Sequence, residues 1–185
     1  FVMAAHLADW HPWESYQDFF MSSRELGGGA LLDESHWIDQ ALWFFGRPES
    51  VFARIGKVSE LEIDADDDVD ILLDYRGGPR VSIHLDLHAR PHEKTIKFMG
   101  EGGTLLWTAD PNRIALGRAP EEDWVETPFE CQRNDMFVAV AEEFLAVIGG
   151  QAPSCTIADG LAVMEVIEAA RQSQAQSRLV RLEGA

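Results

Sequence analysis

Gly27-Gly28-Gly29-Ala30-Leu31-Leu32-Asp33-Glu34-Ser35-His36-Trp37-Ile38-Asp39-Gln40-Ala41-Leu42-Trp43-Phe44-Phe45-Gly46 is the stretch on which the fold turns. Three glycines open it and Gly46 with Pro48 closes it, so its interior predicts one helix running to about Phe45. At about 100° per residue from Asp33, the residues Leu31, Ser35, Ile38, Leu42 and Phe45 fall between about 120° and 200°, a stripe suited to packing on a sheet. Asp33, His36 and Gln40 lie within about 60° of the opposite direction, which gathers a carboxylate, an imidazole and an amide on the far side. Trp37, Phe44 and, further round, Trp43 share that side, where a helix bordering water carries polar residues. The pattern predicts a helix sandwiched between its own sheet and a module outside this chain.

Outward from this helix the patterning alternates with a period of two. Phe1 to Leu7 reads as a short strand, and an irregular aromatic stretch spans 9–20. Strands are expected at about 50–57, 68–76, 80–88, 94–99, 103–108 and 112–117. Arg76-Gly77-Gly78-Pro79 and Gly100-Glu101-Gly102-Gly103 supply turns too short to join any but antiparallel neighbours. Asn134 or Asp135 is placed to cap a helix with Phe137, Val140, Phe144 and Ile148 on one face, and Thr156 with Asp159 resembles a capping box for another. Arg178 to Leu182 reads as a last edge strand. The expected fold class is α+β: a largely antiparallel open sheet with helices packed on one face, residues 1–185 forming a single domain.

Composition limits the partners. Among 185 residues, 32 acidic against 15 basic side chains leave a net charge of −17, which opposes nucleic acid and anionic membrane surfaces. A 46% hydrophobic content is that of a folded domain. The longest apolar runs fall far short of the roughly 20 residues that cross a bilayer, and there is no secretory signal pattern. Cys131 and Cys155 make neither a disulfide framework nor a four-ligand zinc site, so a cytoplasmic location is the default. An apolar run already under way at Phe1 predicts a piece of a longer chain.

The quoted stretch resembles the hallmark segment of the Gfo/Idh/MocA oxidoreductases. Lys97-Phe98-Met99-Gly100-Glu101-Gly102-Gly103-Thr104-Leu105 is similar to that family's glycine-turned strand pair, and Asp159 to Ala170 to its closing helix. The resemblance implies an NAD(P)-dependent enzyme with an N-terminal Rossmann domain and a C-terminal α+β domain, of which this chain looks like the second. No G-x-G-x-x-G follows a strand here, so cofactor-binding residues are expected in the missing half. By resemblance His36 exchanges a proton with a secondary alcohol of a sugar or polyol, and Asp33 supports it. The family usually places three residues between this pair, whereas only Glu34 and Ser35 intervene here. Trp10, His11, Tyr16 and Gln40 are the substrate candidates, because aromatic faces and polar tips suit sugars. The resemblance also implies a homo-oligomer paired through the open sheet face. The rival reading is a non-catalytic sugar-binding or subunit-assembly domain.

No metal is expected. His84, Asp86 and His88 share one side of a strand about 7 Å apart, too far to converge easily on one ion. The acidic run Asp64, Asp66, Asp67, Asp68 and Asp70 lacks an EF-hand pattern and is expected to be a solvated strand entry.

Overall fold

Alternation of apolar and polar side chains builds the sheet. In the computed structural model, which describes residues 1–10, 15–109, 111–119 and 123–182, strands β2 (Ser50–Gly56), β3 (Asp68–Asp74) and β4 (Arg80–Asp86) form an antiparallel meander. Ala53, Ile71 and Ile83 sit side by side in it, as do Val51, Leu73 and Val81, and all six are buried. The period of two turns Arg54, Asp70 and His84 to the opposite face. β1 (Val2–Ala4) runs parallel to β4 and antiparallel to β5 (Glu93–Gly100), while β9 (Val180–Arg181) pairs antiparallel with β2.

The chain divides into two compact units, Phe1–Thr95 with Leu161–Ala185, and Ile96–Gly160. Strand order in the first is β5-β1-β4-β3-β2-β9, antiparallel except for β1 against β4. The buried face of its sheet is covered by α2 (Ala30–Asp33) and α3 (His36–Phe45), which bury Leu31, Trp37, Ile38 and Ala41. α5 (Ile157–Gln176) contributes Val163, Val166, Ile167, Ala169 and Ala170 to the core. It also shields an exposed strand edge: the Ser173 hydroxyl accepts the Ala53 N–H at 3.0 Å and the Gln174 side chain accepts that of Ile55 at 3.1 Å, beyond the reach of β9. In the second unit β6 (Gly103–Ala109), β7 (Asn112–Gly117) and β8 (Val125–Pro128) form a further antiparallel meander, followed by α4 (Arg133–Ile148). The protein is therefore α+β, with a mostly antiparallel open sheet and helices on one face of its first unit. Among the described residues no helix is long and apolar enough to cross a membrane.

Several expectations are corrected. The hallmark stretch is two helices, not one, because main-chain bonds at the junction tighten to three-residue spans: Ser35 to Leu32, Trp37 to Glu34 and Ile38 to Ser35. Such a turn advances about 120° per residue instead of about 100°, so three residues add about 60° of rotation. That rotation carries Trp37 and Ala41 into the apolar stripe, where they are 2% and 0% exposed, so Trp37 belongs to the core and not to the far side. Trp43, at 80% exposed, and Phe44, at 43%, remain outside as expected. A short helix α1 (Leu7–Trp10) occupies ground assigned to strand and loop, and β8 was not anticipated. The cap of α4 is Gln132, whose N–H is accepted by the Asp135 carboxylate at 2.8 Å, while the Thr156–Asp159 box forms as expected, with an N–H to carboxylate distance of 2.7 Å.

The acidic run is solvated only in part: Asp64 and Asp70 are exposed, whereas Asp66 and Asp67 are structural. Asp67 is 0% exposed and accepts the Val58 and Ser59 N–H groups and the Ser59 hydroxyl. Asp66 takes the start of α2: its main-chain oxygen accepts Ala30 N–H at 2.9 Å and its carboxylate accepts Leu31 N–H at 2.8 Å. These contacts demand glycine at position 29, where φ is +102° and a Cβ would lie 2.6 Å from Asp66 Oδ1. Gly29→Ala is expected to lose about 1–3 kcal/mol of stability in denaturant unfolding. Gly27→Ala, at φ +82° but with nothing within 4 Å, should lose less.

Candidate active site

The junction between α2 and α3 places three ionisable groups in series. Asp33 ends α2 half-buried, Glu34 occupies the turn at 2% exposure, and His36 opens α3 with its side chain 56% exposed. On a regular helix Glu34 and His36 point apart, but the tightened turn brings Glu34 Oε2 within 3.5 Å of His36 Nε2. No other carboxylate among the described residues lies within ion-pair distance of the ring. The imidazole is tilted against Trp37, with ring centroids 5.9 Å apart.

Burial moves the two partners in opposite senses. It pushes the Glu34 carboxyl up to about 7, aided by the neighbouring Asp33 charge and opposed by the Lys94 ammonium and the Trp37 indole. It pushes the His36 imidazole down, against the Asp33 main-chain carbonyl and the Asp39 charge, with Lys94 adding to the fall. Asp33 is also raised by burial. His36 is accordingly neutral at neutral pH, the form that accepts a proton. Glu34 and Lys94 are participants the sequence reading passed over. Glu34 was hidden by assuming an unbroken helix, and Lys94 reaches the site because its register with Met3 on β1 turns it toward the helices.

The remaining sequence candidates lie apart from this pair in their contacts. Trp10 meets His92 edge-on at 6.4 Å, and the Tyr16 hydroxyl accepts the Glu62 N–H at 3.2 Å. Gln40 is half-buried on α3, with its side-chain oxygen buried and without a hydrogen bond among the described residues. His11 lies outside the described residues. Two cavities of about 350 and 320 Å³ occur in the first unit, the larger beside Arg24, Gly28, Lys57 and Arg171, and His36 lines neither. On the other face of the sheet the His84 ring is held between Asp86 and Asp70, at 3.1 and 2.9 Å, and His88 faces Asp68. Among the described residues no three His, Cys, Asp or Glu side chains converge as a metal site.

The glycine triplet does not fit a dinucleotide. Its amides are taken by its own chain: Gly27 by Arg24, Gly28 by Ser23 and Gly29 by Met21, with Ala30 and Leu31 held by Asp66. Pyrophosphate needs free N–H groups at a helix start, and here a carboxylate occupies that position.

A family model for the GFO/IDH/MocA C-terminal domain matches residues 1–106. The chain belongs to that family. No curated protein matches it. Among solved structures it resembles a levoglucosan dehydrogenase in complex with NADH and levoglucosan, at 17% identity and a TM-score of 0.83, over 100% of this chain and 58% of that one. It also resembles an oxidoreductase from Agrobacterium radiobacter in complex with NAD+, L-tartaric acid and magnesium, at 20% identity and a TM-score of 0.75, over 97% of this chain and 55% of the other. The GFO/IDH/MocA domain thus spans a little over half the length of these structures.

The raised Glu34 carboxyl has a thermodynamic consequence. Between its ordinary value and about 7 the folded state holds the proton more tightly than the unfolded state, so this group's stabilisation is present at acid pH and fades as pH rises. Glu34→Gln should therefore gain stability relative to wild type between pH 5 and pH 8, by up to about 3 kcal/mol in denaturant unfolding.

Proposed function

We propose that this chain is the substrate-binding and proton-transferring half of an NAD(P)-dependent oxidoreductase acting on a secondary alcohol of a sugar or polyol. The observation that carries the reading is the surface-exposed imidazole of His36, kept neutral by its surroundings, at the family's hallmark segment. Oxidising a secondary alcohol removes a hydride and a proton. Nicotinamide supplies the hydride acceptor, and it is held by a module other than this chain. His36 takes the hydroxyl proton onto its ring, and the Asp33 carbonyl and the Asp39 carboxylate favour the charged ring that results. The NADH and levoglucosan bound by one structural neighbour support the cofactor and sugar class. Trp10, Tyr16, Gln40 and His11 remain the substrate-side candidates, by resemblance.

His36→Ala, tested in the chain together with its nucleotide-binding module, should lower kcat about 100-fold or more with little change in KM. Unchanged turnover would favour the rival reading of a sugar-binding or assembly domain. Calorimetry of the chain alone with NADH or NADPH should show no saturable binding, since its glycine amides are occupied; tight binding would overturn the division of labour.

Self-association is the second part of the proposal. The open face of β2, β3 and β4 displays Leu72 at 49% exposure beside Phe52, an apolar patch in an otherwise charged surface. Leu72→Glu should shift sedimentation toward the monomer without loss of folding.

A further inference from the structure

The resemblance pairs His36 with Asp33, but the structure sets a different carboxylate beneath the ring. Glu34 is buried, its Oε2 lies 3.5 Å from His36 Nε2, and that oxygen makes no hydrogen bond among the described residues. A buried carboxylate oxygen without a donor is costly unless a proton or a cationic partner reaches it. The Trp37 indole N–H also bears on this carboxyl, and the imidazole is the partner within reach that can carry a positive charge. Asp33, by contrast, acts on the ring through its main-chain carbonyl, and its carboxylate forms no ion pair with His36.

We propose that Glu34, and not the Asp33 carboxylate, is the positioning residue of His36, and that the two side chains share one proton along the Oε2–Nε2 line. When Glu34 carries the proton, its hydroxyl donates to Nε2; when the ring carries it, Nε2–H donates to the carboxylate. When Glu34 is ionised, a proton arriving on the ring from a substrate hydroxyl becomes the one the pair shares, and the imidazolium it forms lies beside a carboxylate that stabilises it. Asp33 and Asp39 add negative potential to this pair, and Lys94 adds positive potential from β5. The functional consequence rests on the reading of His36 as the proton-transferring group, whereas the coupling itself does not.

The test is the pH titration of the His36 Hε1 resonance in the chain free of nucleotide and substrate, with His36→Asn identifying the signal. Wild type should show two inflections, the upper near 7 as Glu34 ionises beside the ring. Glu34→Gln should abolish the upper inflection and lower the ring midpoint by about half a pH unit or more, a roughly threefold change in proton affinity. Asp33→Asn should keep both inflections. A single inflection in wild type, or a midpoint moved by Asp33→Asn and not by Glu34→Gln, would overturn the proposal. The wild-type curve decides the matter even if Glu34→Gln fails to fold. Absence of dehydrogenase activity would defeat the proposed function and leave this coupling intact, while an uncoupled His36 that still abolishes turnover when replaced would do the reverse.

Discussion

Asp66 closes the start of α2 across 35 residues of sequence, and the placement of the His36 region follows from that contact. Its main-chain and side-chain oxygens take the first two helical N–H groups, and Gly29 brings the two segments close enough for this to happen. Because α2 is only one turn long, anchoring its first residues also fixes where its last ones lie. The chain must then turn sharply into α3 to bury Trp37, Ile38 and Ala41 against the sheet. The three-residue hydrogen bonds at Glu34 and Ser35 are how it does so, and Glu34 is buried as a consequence.

That burial sets the electrostatics of the region. One helical junction holds a carboxylate whose proton affinity is raised and an imidazole whose affinity is lowered, both chiefly by loss of water. The far face of the sheet shows the opposite arrangement. There hydrogen bonds to Asp86 and Asp70 raise His84 to about 9, leaving it charged at neutral pH and part of the surface ion network.

The same structure leaves no free amides at the glycine triplet for a phosphate to take. Glycines that in another setting cradle phosphate are here spent on close packing against Phe20, Met21 and Asp66. Apolar side chains remain exposed at Trp43 and Phe44 on α3, and along Phe137, Val140, Phe144 and Ile148 on α4.

Much of this was legible in the amino-acid order. Alternation placed β2 to β7 within a residue or two, glycine and proline marked the turns, and the hallmark stretch identified the family, because these signals depend on neighbours only a few residues apart. What the order of residues did not disclose was the break at Glu34 and Ser35. A helical wheel assumes uniform rotation, and the extra turn arises from contacts with Asp66 and the sheet, which are remote in sequence. For that reason Asp33 and His36 were visible as a pair, while Glu34 beneath the ring, Lys94 beside it and Trp37 in the core emerged only when the tertiary structure decided which atoms lose water.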